Sequence, residues 1–221
     1  VATVTLVMAM TVDGKIAPVS RVAPHFGAAD AERFERLCAE ADALVLGAGT
    51  LRAQGATRSI VRPELLEARR ASGRPEQPLS VVVSAGGRLD PDMAFFTRQE
   101  VPRVIATTEA GAVCAAEHAA SADVWVCGAE RVSPRAVLDT LVARGCERVA
   151  LLGGGALNAD WFAADCVDVI ELTLAPRLFG GEKAPTPLDG PGLDAPRDVR
   201  LERSETVDGC LFLTYRVLRE S

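Results

Sequence analysis

Residues Asp42 to Thr50 read DALVLGAGT, and residues Val149 to Asn158 read VALLGGGALN. Each is an apolar run of strand length that ends in glycine and passes into a stretch able to form a helix. A strand that ends in this way leaves backbone N–H groups pointing into an open crevice, where a helix N-terminus favours an anion such as a phosphate. Gly47 and Gly49 shape the first turn, and Thr50 adds a hydroxyl. Gly153, Gly154 and Gly155 shape the second, followed by Ala156, Leu157 and Asn158. Glycines also serve simple tight turns and close packing of helix on sheet, so either turn alone is weak evidence for a ligand. Two in one chain strengthen each other.

Working outward, short β-branched runs alternate with amphipathic stretches. Val1 to Met8, Ala43 to Leu46, Leu79 to Val83, Arg103 to Ala106, Val124 to Cys127, Arg148 to Leu152 and Val169 to Leu174 read as strands. In Ala28 to Ala41, apolar Ala31, Phe34, Leu37, Cys38 and Ala41 recur at helical spacing, which predicts that Glu32, Arg33, Glu35, Arg36 and Glu40 face outward. Ser133 followed by Pro134 is an N-cap and N1 pair for a helix running to Arg144, with Gly145 as its stop. This rhythm predicts a three-layer α/β domain spanning residues 1–221, with a mostly parallel central sheet and helices on both faces. The rhythm breaks at the end: Val199 to Thr206 and Cys210 to Val217, separated by Val207, Asp208 and Gly209, predict an antiparallel hairpin at one sheet edge. Leu178 to Pro196, rich in proline and glycine, reads as a long loop.

Composition sets limits on function. A net charge of -6, with 24 basic against 30 acidic residues, argues against nucleic acid as a partner. The apolar opening from Val1 to Met10 lacks a basic n-region and soon meets Asp13, so neither a signal peptide nor a membrane span is expected, and the location expected is cytoplasmic. The six cysteines, Cys38, Cys114, Cys127, Cys146, Cys166 and Cys210, contain no C-x-x-C pair and are expected as buried free thiols. With His25 and His118 as the two histidines, no metal site is expected. An ordered G-x-G-x-x-G with a ribose-binding acid is absent, which disfavours an ordinary dinucleotide-binding dehydrogenase, and the lack of G-x-x-x-x-G-K-S/T disfavours an ATPase.

A third cluster follows the first strand: Met8-Ala9-Met10-Thr11-Val12-Asp13-Gly14-Lys15-Ile16-Ala17. In isolation Asp13-Gly14 is a hairpin turn and Lys15 a solvated charge. Taken in order with the two glycine turns, with Cys166 to Leu174, and with Ala175-Pro176-Arg177-Leu178-Phe179-Gly180-Gly181, it resembles the reductase domain of riboflavin biosynthesis. The resemblance runs from Val4 to Val217. It implies a dihydrofolate-reductase-like fold, NADPH bound across the carboxyl ends of the strands, a small-molecule substrate and a homodimer. Position by position, it implies cofactor contacts at Ala17, Thr50 and Gly153 to Asn158, with Gly47 and Gly49 in the phosphate turn. Ser84 matches the serine near the adenosine 2′-phosphate, with Arg88 nearby, and Thr107 ends the next strand on the adenosine side. Asp13 and Lys15 match positions facing the substrate.

The chain departs from that pattern on the substrate side. The family's L-R-A is Leu37-Cys38-Ala39 here, its D-D-P-x-L-T is Gln54-Gly55-Ala56-Thr57-Arg58-Ser59, and its Glu before the triple glycine is Leu152. Among Arg52, Arg58 and Arg62, Arg58 is taken as the replacement for the lost phosphate charge. The implied reaction is hydride transfer from NADPH to C1′ of a ribosylamino-pyrimidine 5′-phosphate in its open imine form. Asp13 is the expected proton donor, with Lys15 orienting polar groups by charge. Two alternatives stand beside it. Leu152, with Asp30 and Phe34 one turn apart, resembles the pattern of reductases acting on a pterin or folate-like ring. The substrate-side changes also suit an inactive NADP-binding sensor or partner protein.

Overall fold

The computed structural model describes residues 1–20, 26–54, 58–97 and 100–219, so that His25 and the segment Gly55-Ala56-Thr57 lie outside the described residues. Strands β1 (Thr3–Thr11), β2 (Ala43–Gly47), β3 (Leu79–Val83), β4 (Arg103–Thr107), β5 (Asp123–Val126), β6 (Arg148–Leu151), β7 (Val169–Ala175), β8 (Val199–Val207) and β9 (Cys210–Val217) form one sheet. Its order is β5-β4-β3-β2-β6-β1-β7-β9-β8. Pairing is parallel from β5 through β7 and antiparallel from β7 through β9 to β8. The helices are α1 (Ala28–Glu40), α2 (Ala48–Gln54), α3 (Pro63–Ala71), α4 (Ala94–Thr97), α5 (Glu109–Ala115), α6 (Pro134–Ala143) and α7 (Gly155–Ala163).

Side chains alternate across a strand, and each face of the parallel region has its own cover. Val45, Val81, Val104 and Val149 pack against α6 and α7 through Val137, Leu141, Trp161 and Phe162. Their strand neighbours point the other way: Leu46, Val82 and Ile105 meet Leu51 of α2 and Phe95 of α4, while Leu44 and Ala150 meet Cys38 of α1. Burial on both sides explains why these strands are near-continuous apolar runs in the sequence.

Several expectations are met at the level of single residues. The Ser133 hydroxyl accepts from the backbone N–H of Ala136 at 3.3 Å to cap α6, and Pro134 opens that helix. Asp208 and Gly209, both at positive φ, turn β8 into β9, with Val207 paired to Cys210 and so belonging to the strand. The six cysteines are free; Cys38, Cys127, Cys166 and Cys210 are buried as expected, whereas Cys114 and Cys146 are half-buried.

Two readings change. β1 runs on to Thr11, because β7 pairs with it from Thr5 to Thr11. Arg33, expected on the outward face of α1, is buried. Its guanidinium pairs with Glu171 of β7, donates to Thr173 Oγ1 at 3.3 Å and lies 4.9 Å from the centre of the Phe212 ring. Glu171 also accepts from Thr214 Oγ1 at 3.0 Å. The outer side of α1 is thus roofed by the end of the sheet, and a cation is tolerated there because its charge and hydrogens are matched.

Candidate active site

The two glycine turns, more than a hundred residues apart in sequence, are hydrogen-bonded to each other. Because β6 lies beside β2, the N–H of Gly47 donates to the carbonyl of Gly153 at 2.9 Å, and that of Leu152 to Val45 at 2.8 Å. Gly153 has φ +82°, a backbone conformation that calls for glycine, and a Cβ there would press on the Met8 methyl at 2.7 Å. The Gly153–Gly154 peptide is cis. A Cβ on Gly154 would lie 3.1 Å from Thr50 Oγ1, which brings the hydroxyl of one turn against the backbone of the other. Gly154 is the N-cap of α7 and supplies no side-chain acceptor, so the helix opens with first-turn N–H groups and the positive end of its dipole available.

Around this rim is a cavity of about 380 Å³ at the carboxyl ends of β1, β2 and β6. Met8, Ala9, Ile16 and Ala17 form one wall, the Asp30 and Phe34 side of α1 a second, and Gly49, Thr50 and the start of α7 a third. Arg58 also lines it, with its guanidinium carbon 5.2 Å from the centre of the Phe34 ring. Burial pushes the Asp30 carboxyl above its ordinary range, against the opposing effects of a hydrogen bond from Thr173 and the charges of Arg33 and Arg58. A cradle of this kind, with backbone donors at a helix start, a threonine hydroxyl and an apolar slot, fits a dinucleotide.

Of the residues expected in the site, Ala17, Gly47, Gly49, Thr50, Gly154, Gly155, Ala156, Leu157 and Arg58 line this cavity. Gly153 and Asn158 stand behind it. Asn158 is fully buried, its Nδ2 donates to Pro187 O at 2.8 Å, and its Oδ1 has no partner among the described residues. Ser84 is buried between Val83 and Ala85, which line a second cavity of about 130 Å³ against α6 and α7; Leu157 lines both cavities. Thr107 is fully buried and its hydroxyl donates to Ala85 O at 3.1 Å, which closes it off from either cavity.

Asp13 and Lys15 do not line the cavity. The Asp13 carboxylate accepts from Thr11 Oγ1 at 2.5 Å, from Gly180 N at 2.7 Å and from Phe179 N at 3.3 Å. The Thr11 and Gly180 bonds above all hold its pKa below the ordinary value, the reverse of the shift that a proton donor needs. Lys15 Nζ donates to Ala184 O at 3.3 Å. In this arrangement Asp13 and Lys15 tie the turn after β1 to the loop after β7. Of the other arginines, Arg62 is held by Glu35 at 3.2 Å and Arg52 reaches Arg88 O at 3.4 Å. Cys38, in the place of the family's arginine, is buried and its thiol is pushed up to about 12 by desolvation.

Two cavity residues gave little or no signal in sequence. Asp30 showed only as half of a helical pair with Phe34. Asp189 gave none: it lies in the long loop, accepts from Thr186 N at 2.9 Å and Thr186 Oγ1 at 2.7 Å, and its own N–H donates to Gly155 O at 3.1 Å.

A family model described as the RibD C-terminal domain matches residues 2–212. The chain is 34% identical over 218 residues to a 2,5-diamino-6-ribosylamino-4(3H)-pyrimidinone 5′-phosphate reductase of Methanothermobacter thermautotrophicus, covering 97% of each. Among solved structures, a pyrimidine reductase-like protein from Corynebacterium diphtheriae superposes with a TM-score of 0.88 at 20% identity, over 99% of this chain and 93% of that one. The dihydrofolate reductase of Enterococcus faecalis does so with a TM-score of 0.55 at 16% identity, over 97% and 96%, which bears out the expected fold.

Proposed function

The chain belongs to the RibD C-terminal domain family, and from that premise we propose that it is an NADPH-dependent reductase of a ribosylamino-pyrimidine 5′-phosphate in riboflavin biosynthesis. The observation that carries the reading is the Gly47–Gly153 hydrogen bond, which joins two anion-binding turns at the rim of one cavity. When bound, the nicotinamide supplies the hydride for C1′ of the substrate.

The chain's own residues mainly hold and orient. Thr50 and the first turn of α7 face the phosphates, Gly47 and Gly49 let the backbone approach them, and Met8 and Ala17 wall the ring end. The second cavity beside Ser84 suits the adenosine end, with Leu157 between the two. Arg58 reaches the substrate phosphate from beside Phe34, a cation delivered by the segment after α2 rather than by α1, where Cys38 is buried. Holding two reactants together in a site that sheds water accounts for a large share of such a rate enhancement. We take the enzyme to act as a homodimer in the cytoplasm.

The test is NADPH oxidation with the pyrimidine substrate, paired with titration of NADPH into the protein alone. Saturable binding with turnover is expected, and no saturable binding would overturn the reading. A pterin or folate-like substrate is the second reading, because Asp30 and Phe34 share the cavity wall; turnover of dihydrofolate in preference to the pyrimidine would establish it. Cofactor binding with turnover of neither would mark a sensor.

A further inference from the structure

We infer that Arg131 is the residue by which this chain selects NADPH over NADH, its guanidinium leaving Asp160 to take the phosphate on the adenosine 2′-oxygen. The inference rests on the two cavities forming one dinucleotide site.

The second cavity lies at the end of β3, with Val83 and Ala85 on that strand's side and Leu157 and Trp161 on the α7 side. Such apolar walls suit a planar base. Among the described residues that line it, two are charged, Arg131 and Asp160, and they face each other: Arg131 Nη2 stands 3.2 Å from Asp160 Oδ1. The Arg131 side chain is 84% exposed and that of Asp160 50%, so water screens the pair and little holds it closed. A phosphomonoester, with close to two negative charges and three acceptor oxygens, is the stronger partner for a planar guanidinium. A bare 2′-hydroxyl carries no charge with which to open the pair.

The backbone beneath Arg131 is fixed, although its side chain is free to move. The loop from β5 to α6 is closed by a bond from Ser133 N to Cys127 O at 2.8 Å, and the Gly128 carbonyl accepts from Glu109 N at 3.0 Å. A Cβ on Gly128 would stand 1.9 Å from Arg131 O, so glycine there lets the Arg131 peptide fold back onto the start of the loop. The guanidinium therefore swings from a set point beside the cavity. The resemblance pointed instead to Ser84 with Arg88. Ser84 is buried, and Arg88 lines neither cavity: its Nε donates to Cys114 Sγ at 3.5 Å and its carbonyl accepts from Arg52.

The test measures kcat/KM for NADPH and for NADH at saturating pyrimidine substrate. A preference for NADPH of about 100-fold is expected. Arg131→Ala is expected to cut that preference at least about ten-fold, through KM for NADPH rather than kcat, and Arg131→Lys to keep part of it, because a point charge replaces the fork. Asp160→Asn, which removes the competing carboxylate, is expected to tighten NADPH by about three-fold. Competition by 2′,5′-ADP and by 5′-AMP against bound NADPH reads the same contact without turnover: 2′,5′-ADP should bind the unaltered protein more tightly, and the gap should close in Arg131→Ala. Thermal unfolding confirms that the variants are folded. Equal use of NADH by the unaltered protein, or a preference that survives Arg131→Ala, overturns the inference while leaving the reductase reading intact. No saturable binding of either dinucleotide overturns both.

Discussion

A Cβ on Gly154 would stand 3.1 Å from Thr50 Oγ1, a tight contact between the two turns. An aspartate there would bring both bulk and negative charge to the start of α7, where phosphates are expected. Gly154→Asp should weaken NADPH binding by about 100-fold or more, read by titration, since it opposes the anion that the helix start favours. Asp13 gives a prediction of the other kind. Its folded pKa is depressed by Thr11 and the backbone of the loop after β7. Its contribution to stability is therefore present above the ordinary value of 3.8 and is lost as pH falls through the lowered one. Asp13→Asn should lower the melting temperature at neutral pH, with the difference from the unaltered protein closing in strong acid, while turnover stays within about two-fold. These two positions also show what sequence can carry at this scale. A glycine cluster after a strand announces itself, because its backbone does the binding. An acid in a turn does not show whether it meets a ligand or a distant loop, since the backbone partners of Asp13, Phe179 and Gly180, lie more than 160 residues away.

Helix α1 was legible as a helix, and its core-facing stripe holds through Phe34, Leu37, Cys38 and Ala41, while Ala31 is exposed. The error concerned Arg33, placed on the opposite face by periodicity alone. Periodicity assumes one roof, whereas α1 has a second, formed where β7 and β9 carry Glu171, Thr173 and Phe212 across it. Nothing within α1 signals those partners. Glu171→Ala should cost about 3–5 kcal/mol in a denaturant titration by leaving the buried Arg33 charge uncompensated. Arg33→Met with Glu171→Leu should recover much of that loss, because an apolar pair removes the need for a match. At the rim, α2 and α7 were both placed by their glycine starts, while the Thr186 to Asp189 turn beside α7 was hidden in a loop that has no period to read.

Across the whole molecule, alternation of strand and helix was enough to set a parallel sheet with a terminal hairpin, since each strand's composition reflects cover on one face or two. Strand order was not legible: β6, late in sequence, inserts between β2 and β1. Native-state hydrogen exchange should place the slowest amides in β1 and β6, enclosed by neighbours on both sides, and the fastest strand amides in β8, the exposed antiparallel edge. Bound NADPH should add protection at Gly47 and at the start of α7 without altering β8.

The insertion of β6 also bears on synthesis at the ribosome. Until the residues of β6 have emerged, β1 and β2 stand apart with the slot between them empty, and the Gly47 turn has no counterpart. Stalled nascent chains ending before Arg148 should therefore be digested equally fast by protease with or without added nucleotide, whereas chains released in full should be shielded by it.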